Sequence, residues 1–313
     1  MDTQKLYDVV VIGSGPAGMT AAVYTSRGGL KTLIIEKDAP GGKLVRTNEI
    51  ENYPAFETII GADLAMKMHT HSLHFGADYA YGDIVSIHQA DQGYEVVALD
   101  GSKYYGKTVI AATGTIERTL GLEGEESLLG KGLSYCAVCD GAFYKERPVV
   151  VIGGGNSALE ESLYLTQFAS KVTMVIRRDV FRGDQVSVNL VEKNPKIEII
   201  RKHIPVSLNT NEEGFLTSVT LEHVETKERH DLAVDAIFPY IGADPATAYL
   251  KDLNILNENG YVKVNSVFMS ELEGLYAVGD MVEKNLRQIV TATNDGAVAG
   301  QHAFQYLNEK GWI

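Results

Sequence analysis

The stretch VVVIGSGPAG at residues 9–18 recurs as VVVIGGGNSA at residues 149–158. Each copy begins with a run of β-branched apolar residues, which favours a buried strand, and continues into a glycine-rich turn. Helical patterns follow at residues 19–27 and 159–168. One such turn is weak evidence, but two copies in the same strand, turn and helix order predict two dinucleotide-binding sites.

The glycine spacing has a physical basis. The first glycine permits the tight turn, the second lets the backbone approach a pyrophosphate, and the third position must be small for the helix to pack on the strand. The N–H groups at the helix N-terminus then face the phosphates. The sequence therefore predicts an α/β protein with two Rossmann-like dinucleotide-binding domains. The predicted contact residues are Gly13, Ser14, Gly15, Pro16, Ala17 and Gly18 in the first copy, and Gly153, Gly155, Asn156, Ser157 and Ala158 in the second.

The two copies differ in the residues that would meet the ribose. After the first, Glu36 lies where an acid accepts hydrogen bonds from a ribose diol, which suits FAD. After the second, Arg177 and Arg178 follow the strand, with Arg182 close behind. Guanidinium groups bind a 2′-phosphate that an acid would repel, so we expect NADPH rather than NADH. The alternative for these arginines is a solvated cluster at a strand end.

The only two cysteines are Cys136 and Cys139, just upstream of the second turn. A disulfide across so short a loop constrains the unfolded chain very little, so a structural bridge is a poor explanation. A structural zinc site needs four ligands, and no second cysteine pair exists. The pattern therefore predicts a redox-active dithiol.

Length and charge limit the function classes. A chain of 313 residues predicts two domains, and its formal charge of −13 argues against nucleic acid or an anionic membrane as partner. We expect neither a secretory leader nor a membrane-spanning segment. The expected compartment is the cytoplasm, where disulfides are usually transient and catalytic.

Glycine and proline residues near positions 114 and 242–245 predict that one domain is inserted in the other. We expect an FAD-binding domain whose first part is residues 1–115, an inserted NADPH-binding domain at residues 116–243 that carries the dithiol, and the second part of the FAD-binding domain at residues 244–313.

Across nearly its whole length the chain resembles the low-molecular-weight, bacterial-type thioredoxin reductases. The matching motifs, in order, are GSGPAG (13–18), PGG (40–42), ENYP (51–54), ATG (112–114), CAVCDG (136–141), GGGNSA (153–158), Arg177-Arg178 with Arg182, Gly279-Asp280 and Arg287-Gln288. The resemblance implies two electrons passing from NADPH through FAD to the Cys136–Cys139 disulfide and then to thioredoxin. It also implies that Cys139 lies nearer the flavin and that Asp140 is the acid–base residue.

The resemblance further implies a homodimer and additional cofactor-binding residues. For FAD these are Glu36, Lys37, Gly41, Gly42, Lys43, Leu44, Asn52, Ala112, Thr113, Gly114, Asp280, Arg287, Gln288 and Ile289, and for NADPH they include Gly242. No metal is expected. His69, His71 and His74 include a pair with metal-ligand spacing, but a partly exposed helix face explains all three.

Three alternatives stay open. An NADPH-dependent reductase of ferredoxin or flavodoxin would lack the cysteine pair, so Cys136 and Cys139 argue against it. A thioredoxin reductase driven by reduced ferredoxin would have a decayed second nucleotide site, against which the intact turn and Arg177 argue. Outside enzymology, the chain could be a flavin-bound redox sensor that reports NADPH status through its disulfide.

Overall fold

The computed structural model describes residues 5–47, 49–284 and 286–313, and for Glu49 and Cys139 the backbone alone. The chain divides into two compact units. The first comprises Met1–Ile116 and Asp244–Ile313, and the second comprises Glu117–Ala243. The second unit therefore interrupts the first in chain order.

The first unit contains eleven strands among its described residues, counting the two that cross its boundary. They are β1 (Leu6–Ile12), β2 (Thr32–Glu36), β3 (Glu49–Ile50), β4 (Ile59–Ile60), β5 (Asp78–Tyr81), β6 (Ile84–Ala90), β7 (Gly93–Ala98), β8 (Lys103–Ala111), β9 (Thr115–Glu117), β17 (Ala243–Pro245) and β18 (Leu275–Ala277). Its helices are α1 (Pro16–Arg27), α2 (Gly61–His74) and α6 (Ile289–Glu309).

The main sheet of the first unit has the order β5-β2-β1-β8-β7-β6. Strands β5, β2, β1 and β8 are parallel, whereas β6, β7 and β8 pair antiparallel. The end of β8 also pairs with β18 in parallel, which brings the segment near Gly279 to the edge where β1 ends. Nucleotide sites form at this carboxyl edge of parallel strands.

Both faces of this sheet are buried, which explains the unbroken apolar run in β1. Val9 and Val11 pack with residues of α1 and α6 on one face. Val10 and Ile12 pack on the other face with side chains from β6 and β7. Helix α1 begins with Pro16, whose ring suits the first helical position because it needs no N–H donor there.

The second unit contains the remaining strands and helices. The strands are β10 (Pro148–Ile152), β11 (Lys171–Ile176), β12 (Ile197–Arg201), β13 (His203–Thr210), β14 (Leu216–His223), β15 (Arg229–Ala233) and β16 (Ala236–Pro239). The helices are α3 (Ala137–Asp140), α4 (Asn156–Leu165) and α5 (Gln185–Lys193). A parallel sheet has the order β12-β11-β10-β16, and β13-β14-β15 form an antiparallel sheet.

The parallel sheet of this unit is also covered on both faces. Val149 and Val151 pack with helical residues such as Leu159 on one face. Val150 and Ile152 pack on the other face with side chains of β14. The predicted α/β fold with two Rossmann-like sheets is confirmed.

One helix boundary was predicted wrongly. The pattern predicted a helix at residues 159–168, but α4 spans Asn156–Leu165. The N–H groups of Thr166, Gln167 and Phe168 each bond the carbonyl three residues earlier. Bonds of this type tighten the last turn and end the regular helix.

Candidate active site

The first glycine turn follows β1 and makes two strict steric demands. A Cβ on Gly13, whose φ is +103°, would lie 2.5 Å from the Ala112 carbonyl oxygen. A Cβ on Gly18 would lie 2.0 Å from the Gly13 carbonyl oxygen. By contrast, a Cβ on Gly15 would meet no described atom within 4 Å. The turn therefore packs tightly on its inner side and leaves space at Gly15, where α1 begins.

Glu36 lies at the carboxyl end of β2 and turns toward this glycine turn. Its Oε2 accepts the Ser14 N–H at 2.6 Å, and its Oε1 accepts the N–H groups of Lys37 at 2.8 Å and Asp38 at 3.0 Å. Three backbone donors thus fix the carboxylate beside the turn. The structure brings together two predicted elements of the FAD site, Glu36 and the 13–18 turn.

Buried polar atoms beside the turn fit a cofactor that carries phosphates and hydroxyls. The Ser14 side chain is fully buried, and its Oγ has no hydrogen-bond partner among the described residues. The Tyr79 hydroxyl and His69 Nδ1 are likewise buried without a described partner, and the two rings meet edge to face at 5.0 Å. Burial raises the pKa of Tyr79 to about 12. Sequence analysis missed Tyr79 because nothing in β5 marks a polar contact.

The predicted residues 41–44 lie at a short 3₁₀ helix, Gly42–Arg46, which Gly41 precedes. Gly41 has φ +121°, and Leu44 is buried in a small apolar cluster. Lys43 is exposed, and its Nζ donates to Thr115 Oγ1 at 2.6 Å. The predicted pair Asn52 and Gln288 meet directly, since Asn52 Nδ2 donates to Gln288 Oε1 at 3.0 Å.

Thr113 connects the end of β8 to the returning chain. Its hydroxyl donates to the Ala246 carbonyl at 2.7 Å and lies 3.1 Å from the Tyr249 hydroxyl. Gly114 follows with φ +67°. Ala112 is buried and contributes the carbonyl that excludes a side chain at Gly13.

A buried ion pair supports the predicted Gly279-Asp280 segment. The Gly279 N–H donates to Asp295 Oδ2 at 3.0 Å, and the same oxygen pairs with the Lys284 ammonium. Arg287 donates to the Asp280 carbonyl at 3.5 Å and lies over the Tyr261 ring at 4.7 Å. Sequence analysis missed Lys284 and Asp295. An acid within the small-residue stretch TATNDGAVAG was the available signal.

The second glycine turn, in the second unit, repeats the demands of the first. A Cβ on Gly153, whose φ is +142°, would lie 2.2 Å from the Tyr240 carbonyl oxygen. Ala158 is buried at the third small position, and a Cβ on Gly155 would meet no described atom within 4 Å. Asn156 Oδ1 accepts the Asp184 N–H at 2.8 Å, and Ser157 is exposed at the start of α4. This geometry fits a second dinucleotide.

The three predicted arginines lie beyond the end of β11. Arg177, Arg178 and Arg182 are exposed, and the Arg182 N–H donates to the Gly154 carbonyl at 2.7 Å. Within the described part of the chain, none of the three guanidinium groups pairs with a carboxylate. The cluster is therefore a concentration of positive charge beside the second turn. Gly242, also predicted, is exposed with φ +115°.

The cysteine segment forms the one-turn helix α3. Cys136 is 9% exposed and is held in a disulfide. Its N–H donates to Ser134 Oγ at 3.0 Å, and its carbonyl accepts the Asp140 N–H at 3.1 Å. The Cys139 side chain lies outside the described part of the structure.

Asp140 and the backbone of α3 have distinct surroundings. The Asp140 side chain is half-buried and lines a cavity of about 500 Å³ with Phe143, Arg147 and Glu213 among its neighbours. On the other side of α3, the Ala137 N–H donates to the Tyr240 hydroxyl at 3.0 Å.

No helix among the described residues combines the length and apolarity needed to cross a membrane. No group of three or more His, Cys, Asp or Glu side chains is arranged to hold a metal ion in that part of the chain.

Comparison with known proteins places these features in a family. The model of the pyridine nucleotide-disulphide oxidoreductases matches residues 7–296. A thioredoxin reductase of Bacillus subtilis is 46% identical over 99% of this chain and 97% of its own length. The crystal structure of Lactococcus lactis thioredoxin reductase in the FR conformation has 42% identity and a TM-score of 0.93, covering 97% of this chain and 99% of its own.

A more distant structure agrees. The thioredoxin reductase of T. acidophilum has 32% identity and a TM-score of 0.90, covering 96% of this chain and 99% of its own. These matches favour the thioredoxin reductase interpretation over the three alternatives, and the family implies FAD and NADPH as cofactors. The chain has two glycine turns of the dinucleotide-binding type and a disulfide-bonded cysteine, and it belongs to the thioredoxin reductases of the pyridine nucleotide-disulphide oxidoreductase family.

Proposed function

We propose that the chain is a thioredoxin-disulfide reductase that passes two electrons from NADPH through FAD to the Cys136–Cys139 disulfide and then to thioredoxin. The observation that carries this proposal is the disulfide-bonded Cys136 beside a one-turn helix, in the unit that also contains the second glycine turn. The relatives named thioredoxin reductase support the identity of the protein substrate.

We assign FAD to the first unit. The free N–H groups at the start of α1 would bind its pyrophosphate, because Gly15 leaves space there and a helix N-terminus favours negative charge. Glu36 would accept the ribose hydroxyls. When bound, FAD supplies the chemistry that couples a hydride donor to a disulfide. The remaining proposed FAD residues are Lys37, Gly41, Gly42, Lys43, Leu44, Asn52, Ala112, Thr113, Gly114, Asp280, Arg287, Gln288 and Ile289.

We assign NADPH to the second unit. The turn from Gly153 to Ala158 would bind its pyrophosphate, and Gly242 would border the site. Arg177, Arg178 and Arg182 would hold the 2′-phosphate, since their charges are exposed and unpaired among the described residues. A guanidinium binds phosphate in a bidentate manner, which gives selectivity against a bare ribose diol.

Reduction of the disulfide requires two electrons and one or two protons. Reduction breaks the S–S bond and consumes two electrons. The two sulfur atoms take up two protons if both become thiols, or one proton if one of them stays a thiolate. Asp140, half-buried at the end of α3, would hold and deliver that proton. A thiolate then attacks the thioredoxin disulfide, and the second thiol resolves the mixed disulfide, which restores the S–S bond and reduces thioredoxin.

We further propose a homodimer in the cytoplasm. Ile60, Met66 and Phe75 are large apolar side chains exposed on the first unit, near a cavity of about 980 Å³. Apolar patches of this kind mark protein interaction sites. Light scattering after size exclusion tests the assembly, and a mass of one chain would contradict it.

The function is tested by anaerobic titration of the yellow protein with NADPH and, separately, NADH. We expect NADPH to bleach the flavin at stoichiometric amounts and NADH to do so poorly. Thioredoxin turnover should be lost in Cys136→Ser, while NADPH reduction of ferricyanide, which can take electrons directly from flavin, should persist. A flavin that dithionite reduces but NADPH does not would contradict the proposal and favour the ferredoxin-driven enzyme or the sensor.

A further inference from the structure

Helix α4 carries a partly buried acid that the proposed reaction does not use. Glu161 Oε2 is buried and has no hydrogen-bond partner among the described residues, and Glu161 forms no ion pair with any of them. Burial, and then the neighbouring Glu160 charge, raise the pKa of Glu161 from 4.5 to about 7. Most buried polar atoms have a partner, so an unpaired carboxylate oxygen needs an explanation.

Tyr240 contacts the cysteine helix and is influenced by the charge of Glu161. Its hydroxyl accepts the Ala137 N–H at 3.0 Å, and Ala137 is fully buried as the first residue of α3, directly after Cys136. Burial raises the pKa of Tyr240, and the Glu161 charge is the next cause. Of the neighbouring charges, that of Glu161 therefore has the largest effect on the pKa of the Tyr240 hydroxyl, which accepts the N–H of the first residue of α3. Helices α3 and α4 pack together within the same unit.

The titratable groups that interact with Glu161 or with Tyr240 among the described residues are acidic or phenolic. On α4, the Glu160 charge raises the pKa of Glu161. Glu161 in turn raises the pKa of Tyr164 on the same helix. Asp140 of α3 and Glu117 of β9 act on Tyr240 in the same direction as Glu161. Burial, and then the charge of Asp184 at the N-cap of α5, raise the pKa of Glu160. With no described cation paired to it, an ionised Glu161 adds uncompensated negative charge behind α3.

We propose that Glu161, on the helix that packs against α3, makes the ionisation of the Cys136 thiol depend on its own charge. This inference rests on the proposed function, in which Cys136 is one of the two redox sulfur atoms. Ionised Glu161 opposes a thiolate at Cys136, and protonated Glu161 does not. The pH then sets how much thiolate the reduced enzyme presents to thioredoxin.

The test uses the full-length, FAD-loaded protein with Cys139→Ser, which leaves Cys136 as the only cysteine. The rate of Cys136 alkylation by iodoacetamide is measured against pH. We expect two inflections, because titration of Glu161 changes the environment of the thiol. Adding Glu161→Gln should leave one inflection, shifted about one pH unit lower, which near neutral pH is up to about tenfold faster alkylation.

The matched control is Glu160→Gln, which removes the same charge from an exposed neighbour on the same helix. Because the Glu160 side chain is exposed, solvent screening should limit its effect on the thiol inflection to less than about 0.3 pH units, while the Glu161 inflection remains and moves to lower pH, since the Glu160 charge helps to raise the pKa of Glu161.

Equal profiles for the Glu161 and Glu160 variants would overturn the inference. So would a single inflection in the protein that retains Glu161, a result that needs no substitution at this position and stands even if Glu161→Gln does not fold. Thioredoxin turnover is measured separately on the unsubstituted enzyme. Absent turnover together with a Glu161-dependent alkylation profile would refute the proposed function and leave the electrostatic coupling intact.

Discussion

Single residues in the first glycine turn should respond very differently to the same small substitution. Gly18→Ala would place a Cβ 2.0 Å from backbone, whereas Gly15→Ala would meet no described atom. We expect Gly18→Ala to destabilise the first unit by about 2 kcal/mol or more, because the backbone must shift. Gly15→Ala should leave the FAD-free protein as stable as before but weaken FAD binding about tenfold, a loss of roughly 1.4 kcal/mol. Thermal unfolding of the FAD-free protein and FAD titration measure the two effects. Equal unfolding temperatures for both variants would contradict this steric interpretation.

Glu161 should also make stability depend on pH. Its pKa is raised from 4.5 to about 7, so between those values the folded protein binds a proton that the unfolded chain releases. Stability from this group is fully present below about pH 4.5 and is lost as pH rises through about 7. The shift corresponds to at most about 3 kcal/mol.

The measurement compares Glu161→Gln with the unsubstituted protein in urea unfolding at pH 5 and pH 8. Other titrating groups are common to both proteins, so their contributions cancel in the difference between them. The variant should gain stability relative to the parent as pH increases. A difference that does not change with pH would show that Glu161 ionises normally.

At the scale of elements, the Asp295–Lys284 pair should hold α6 to the Gly279 turn. Both side chains are largely buried, and Asp295 also accepts the Gly279 N–H. Removing one partner of a buried pair leaves an uncompensated charge, so Asp295→Asn should cost about 3 kcal/mol and weaken FAD binding. Adding Lys284→Met should recover part of the loss, because no charge then remains unpaired.

The exposed pair Lys310–Glu273 is the matched control for this element. Both of its side chains are more than 40% exposed, so Glu273→Gln should change stability by less than about 0.5 kcal/mol. Chemical unfolding of the three variants makes the comparison. An Asp295→Asn cost as small as that of Glu273→Gln would mean that α6 and the turn are held by packing alone.

The elements that sequence analysis predicted well are those encoded locally. Each strand, glycine turn and helix start lies within about ten consecutive residues, and the small-residue demand at Gly18 arises within such a unit, since the atom it would meet is the Gly13 carbonyl oxygen. What it missed depends on residues far apart in the chain. Asp295 meets Gly279 only after α6 packs back, and Glu161 acts on Tyr240 only once α4 packs on the sheet that contains β16. No spacing in the sequence encodes either interaction.

The end of α4 was also missed, because three short-range hydrogen bonds close it after Leu165 without a glycine or proline signal.

For the whole molecule, the division into two units predicts that each cofactor stabilises a different part of the chain. A ligand that binds only the folded state stabilises it by RT ln(1 + [L]/Kd), about 2.7 kcal/mol at a hundredfold excess over Kd. FAD contacts are assigned to the first unit and NADPH contacts to the second. We therefore expect calorimetry to show that removing FAD lowers the transition of the first unit by several degrees, whereas NADP⁺ raises that of the second.

Proteolysis during heating assigns each transition, because peptides from residues 117–243 report the second unit. Combining Arg177→Gln with Arg178→Gln should abolish most of the NADP⁺ shift and leave the FAD shift unchanged, since the two guanidinium groups lie in the second unit alone. If NADP⁺ protected both units equally in the unsubstituted protein, its binding energy would not be confined to the second unit. The assignment of one cofactor to each unit would then have to be abandoned, even with the thioredoxin reductase activity intact.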